Sequence, residues 1–135
     1  MAARLLMGLS ALLVFALGTI HLIYTFTTRK FHPRAPGLRE QMEVAPLGIT
    51  SETTLWRAWI GFNASHSLGA MLFGLVYAHL AWSHPQVLFH SGVLLTLGAA
   101  FLLALLGLAH RYWFRVPFLG VLLSLGGFVA ALLLR

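Results

Sequence analysis

The sequence predicts an all-α integral membrane protein, a four-helix up-down-up-down bundle with a short amphipathic surface helix in its first loop. Three observations carry this. Apolar residues make up 59% of the 135 residues and charged residues only 9%, where a soluble domain carries about a quarter. The mean hydropathy is +0.86. Four apolar stretches, residues 5–26, 55–82, 87–109 and 117–134, are each long enough at about 1.5 Å per residue to cross a hydrocarbon core of about 30 Å. Residues 1–135 are therefore read as one transmembrane domain. With no Cys in the chain, disulfides, thiolate metal sites and Cys nucleophiles are excluded.

The first span follows Arg4. Ala16-Leu17-Gly18 offers a small-residue site of the kind that ends a secretory signal, but the apolar run continues to Phe26, beyond an ordinary signal core, so a retained helix is expected. The loop 27–54 holds all three acidic residues, Glu40, Glu43 and Glu52. Between Pro36 and Pro46, apolar residues at 38, 42 and 44 suit a short helix lying on the membrane surface. Thr50-Ser51-Glu52 offers hydroxyl caps and a first-turn carboxylate for the second span, and Pro85 and Pro117 suit first helical positions of the third and fourth.

An even number of spans puts both termini on one side. Cytoplasmic flanks of membrane proteins collect Lys and Arg. Arg29, Lys30, Arg34, Arg39, Arg57, Arg111 and Arg115 border the first and third loops, against Arg4 and Arg135 at the other face, which is seven of the nine basic residues. The expected topology has cytoplasmic loops and periplasmic termini in an inner membrane. The net charge of +6 follows from this asymmetry and forms no stripe with stacking aromatics, so nucleic acid is not an expected partner.

Within lipid the informative residues are those that cost energy to bury. On the second span Trp56, Trp59, Asn63, His66, Ala70, Phe73 and Tyr77 share an arc of roughly 80°. The first span groups Ser10, His21, Thr25 and Thr28, the third Gly92, Thr96, Ala99, Leu103 and His110, and the fourth the small residues Gly120, Ser124 and Gly127. Turning all four stripes inward brings His21 towards His66, about 15 Å below Trp56. His79, His84 and His90 fall at the opposite, external turn.

The candidate site is His66, His21 and Asn63, supported by Thr25 and closed by Trp59, Trp56 and Arg57. Such groups suit the polar head of a hydrophobic ligand, lipid or quinone-like, in an otherwise apolar pocket. Buried Asn and His also join helices with no further role, at about 0.6 to 2 kcal/mol per bond, as in a structural accessory subunit. A lipid- or isoprenoid-modifying enzyme, with His66 and His21 moving a proton, and a b-haem protein with these two ligands are further alternatives. No metal site is expected, because no carboxylate lies in any span. Arg57 is expected to reach lipid phosphates or to pair with a glutamate of the loop. Membrane lipids, a second copy or a larger membrane complex are the expected partners; no particular cofactor is indicated.

The run 55–69, Leu55-Trp56-Arg57-Ala58-Trp59-Ile60-Gly61-Phe62-Asn63-Ala64-Ser65-His66-Ser67-Leu68-Gly69, with Pro46 and Thr50 before it, resembles a family of small four-span bacterial inner-membrane proteins. The resemblance covers nearly the whole chain. It implies the four-span architecture and a bacterial source, and brings no activity, cofactor or catalytic residue.

Overall fold

The structure, a computed structural model, describes residues 1–135. Six helices and one small hairpin follow in the order α1 (Ala2–Thr27), α2 (Leu38–Val44), β1 (Pro46–Leu47), β2 (Thr50–Thr54), α3 (Leu55–Ser83), α4 (Pro85–His90), α5 (Gly92–Tyr112) and α6 (Arg115–Leu133). The helical character agrees with the expected class. Helices α1, α5 and α6 are long and apolar enough to cross a membrane, so this is a membrane protein. Helix α3, with 29 residues, is the longest but is not among those three. Asn63, Ser65, His66, Ser67 and His79 interrupt its apolar run.

Several boundaries differ from the expected ones for local reasons. Thr50-Ser51-Glu52 does not cap a helix. Its β-branched neighbours favour extended backbone, and Thr50–Thr54 pairs antiparallel with Pro46–Leu47, where a proline at the strand's first residue costs no ladder bond. The Leu55 N–H closes this hairpin onto Ala45 O at 2.9 Å. The cap of α3 is Thr54, whose Oγ1 accepts from Arg57 N at 3.4 Å. The third apolar stretch is split at Ser91: Pro85 starts the short α4, and Ser91 Oγ then caps α5 by accepting from Leu94 N at 3.2 Å. Pro117 stands third, not first, in α6, still within the turn whose N–H groups lack helical partners. The surface helix expected in the first loop is α2, entered through Gly37 at φ 76°, a left-handed conformation that favours glycine.

The chain divides into two compact units, residues 1–17 with 70–135, and residues 18–69. The first unit holds the principal apolar core: Met7, Ala11 and Val14 of α1, Tyr77 and Ala81 of α3, Leu88 of α4, Leu95 and Leu102 of α5, and Phe128 and Ala131 of α6 are buried. A hydroxyl clasp crosses this core, Ser10 Oγ donating to Ser124 O at 2.7 Å and Ser124 Oγ to Ser10 O at 3.0 Å. The expected stripe on the last helix is thus inward, with Gly120 and Ser124 buried and Gly127 facing Ser10. The stripe expected on the third span is not. Gly92, Thr96, Leu103 and His110 are exposed, and the buried seam of α5 is Leu95, Gly98, Leu102, Leu105 and Ala109.

Backbones approach most closely at Gly74, where a Cβ would lie 2.6 Å from Ala11 O and 2.7 Å from Phe15 N. Both are main-chain atoms, so the added carbon cannot be accommodated by a rotamer change. Gly74→Ala is expected to destabilise the protein by about 1–3 kcal/mol, while Gly61→Ala, with nothing within 4 Å, is neutral or mildly stabilising. Thermal unfolding of both variants in detergent checks this contrast.

Candidate functional site

The residues of the candidate site, His21, Thr25, Trp56, Arg57, Trp59, Asn63 and His66, lie in the second unit, residues 18–69. The C-terminal turns of α1 carry His21 and Thr25, and the first half of α3 carries Trp56, Trp59, Asn63 and His66. Asn63, only 6% exposed, sits at the centre. Its Nδ2 donates to Trp59 O at 2.8 Å, one helical turn back, which orients Oδ1 towards His21 Nε2 at 2.9 Å. A carboxamide oxygen only accepts, so His21 carries its proton on Nε2. Thr25 Oγ1 donates to His21 O at 2.8 Å, and Ser67 Oγ to Asn63 O at 2.8 Å, so both hydroxyls are satisfied within their own helices.

His66, half-buried, meets His21 edge to face with ring centroids 5.5 Å apart, and lies parallel to Phe62 at 6.5 Å. The expected convergence of His21, Asn63 and His66 is therefore present. An axial haem ligand at His21 Nε2 would first have to release Asn63. No group of three or more His or acidic side chains is placed to hold a metal ion.

Above the cluster lies the chain that leaves α1. Phe31 packs on the His21 ring at 4.4 Å, and Trp59 Nε1 donates to Phe31 O at 3.1 Å. Trp59 thus serves the cluster with its carbonyl and the loop with its indole. Trp56 faces the loop: His32 meets it edge-on at 4.9 Å and the Arg39 guanidinium lies 5.1 Å from its ring. Arg57 is exposed and forms no ion pair with the loop glutamates. Glu43 is engaged instead by Arg39 of the same helix at 3.0 Å, four residues away.

Two shallow grooves are formed by this loop. One, of about 400 Å³, is mostly apolar and is lined by Lys30, Phe31, His32, Pro33, Met42 and Trp59. The other, of about 430 Å³, runs along residues 29–40. Neither is lined by His21 or His66 themselves; the apolar groove adjoins the cluster through Phe31 and Trp59. Sequence reasoning missed Phe31, His32 and Met42 as site residues. Phe31 is the one large apolar residue in the run 29–34, and that isolation was the available signal. The chain matches no family model, no curated protein and no solved structure.

Removing the carboxamide leaves the half-buried His21 N–H without its acceptor, a loss of about 1 kcal/mol. Asn63→Ala is accordingly expected to lower the unfolding midpoint. Nitrogen-15 spectra of the imidazoles should show His21 protonated at Nε2 in the parent protein and lose that signature in the variant.

Proposed function

We propose that this is a small four-span inner-membrane protein that binds a hydrophobic ligand, lipid or quinone-like, at the border between α1, α3 and the loop joining them. The reading that α3 is the fourth span rests on its length of 29 residues, and the cytoplasmic side of the loop on the basic residues around it. The single observation that carries the binding reading is the adjacency of a polar cluster to an apolar groove. Phe31 and Trp59 each line the groove and each contact the cluster, Phe31 through the His21 ring and Trp59 through its carbonyl. A ligand chain lying on Phe31, Met42 and Trp59 would have the imidazole cluster beneath it and leave its polar end at the groove's rim, beside the polar residues of the loop, the combination of apolar lining and few polar groups that orients ligands in such sites.

A structural accessory subunit is the second reading, favoured by one specific feature. Every buried side-chain nitrogen and oxygen has a hydrogen-bond partner, as a helix-joining network requires.

Native mass spectrometry of protein extracted from its own membrane separates the two. A ligand binder retains a small molecule that is lost from His66→Ala and Phe31→Ala while both variants stay helical. Retention of the same species by both variants, or copurification of a second polypeptide at fixed stoichiometry with no small molecule, would overturn the binding reading in favour of the subunit.

A further inference from the structure

The second groove differs from the first in its chemistry. Arg29, His32, Arg34, Arg39 and Glu40 line it, three arginines against one glutamate. Arg39 is shared with Glu43, but Arg29 and Arg34 have no ion-pair partner. Two prolines and a backbone turn shape the rest of the wall. Pro33 and Pro36 have fixed φ, Gly37 makes the left-handed entry to α2, and the His32 N–H bonds back to Arg29 O at 3.1 Å. Guanidinium groups are suited to phosphate oxygens, which they bind through paired charge-assisted bonds.

The two grooves are also neighbours, since His32 and Pro33 line both. A basic compartment thus adjoins an apolar one across a shared wall. The depth matches as well. Residue 29 is two positions past the end of α1, a helix apolar enough to span a membrane, and the Lys30 ammonium lies 3.7 Å from the ring centre of Tyr24. A basic residue and an aromatic at a helix end are the usual markers of the headgroup layer.

We infer that residues 29–42 with Trp59 bind an anionic membrane lipid, one whose phosphate has no cation of its own headgroup beside it, with that phosphate against Arg29, Arg34 and Arg39 and the acyl or prenyl chain over Phe31, Met42 and Trp59. The inference rests on the proposed ligand-binding role and narrows its ligand to an anionic amphiphile. A free phosphate ion would use the basic compartment alone and gain nothing from the apolar one. Two arginines without ion-pair partners favour an anionic headgroup over a zwitterionic one, a preference of about tenfold.

The test compares short-chain phosphatidic acid, phosphatidylcholine of the same chain length and inorganic phosphate as probes. Each is titrated against the full chain in neutral detergent, with native mass spectrometry counting bound lipid. The expected result is about tenfold tighter binding of phosphatidic acid than of phosphatidylcholine. That ratio should fall to near one in R29Q/R34Q, which leaves the Arg39–Glu43 pair intact, and should persist in R111Q/R115Q, which removes equal charge elsewhere. Inorganic phosphate at the lipid's concentration should not displace it. Equal affinities, a ratio unchanged in R29Q/R34Q, an equal fall in R111Q/R115Q, or displacement by inorganic phosphate would each overturn the inference. The underlying role is measured separately, by the total of either lipid retained when Phe31 is replaced by Ala, so failure of the headgroup preference and failure of the groove as a binding site give different results.

Discussion

A polar atom shut away from water costs free energy unless it finds a hydrogen-bond partner within the protein. That constraint organises this chain. Thr25 and Ser67 meet it locally, by bonding carbonyls one turn back on their own helices. Asn63 meets it by joining two elements, its amide group bonding Trp59 and its oxygen His21, so that one carboxamide fixes both the orientation of an imidazole and the start of α3. With Ser10 and Ser124 closing on each other, no buried side-chain nitrogen or oxygen is left without a partner.

How much of this is visible in a sequence depends on contrast. On α3 the contrast is strong. Asn63 and His66 stand out in an apolar run, and placing them on the same face as Trp59 leads directly to the cluster that forms. On α6 the small residues Gly120 and Ser124 mark the close-packed side equally well. Helix α5 supplies little contrast, since nearly every residue is apolar and any face could be the buried one. Giving weight to Thr96 and His110 selected the wrong face there. A threonine hydroxyl can bond its own helix and so tolerate an outward position, and a histidine in the last turn reaches the polar boundary without turning inward. What the core required was instead the volume match of Gly98 to Phe128 and Tyr77, whose rings a Cβ at that position would approach to 2.7 Å. Such complementarity belongs to three dimensions and leaves no period in the chain.

The grooves were hidden for a different reason. They are built from turns, where side-chain direction depends on backbone angles that prolines 33 and 36 and the left-handed Gly37 set one residue at a time. Composition and spacing indicated a basic loop holding a short helix, and α2 with its approach provides the helix, though it buries none of its residues. It did not indicate that Phe31 would lie on His21, or that Trp59 would tie that loop to the helix beneath it. Those two contacts hold the flanking loop against α1 and α3.

The clasp between Ser10 and Ser124 has one more property. Hydroxyls do not titrate in the range where cells live, and a bond from a neutral donor to a neutral carbonyl is nearly indifferent to ionic strength. The carboxylates, by contrast, are confined to residues 40–52, all in the second unit. The fastening between α1 and α6 thus carries no charge to be titrated or screened.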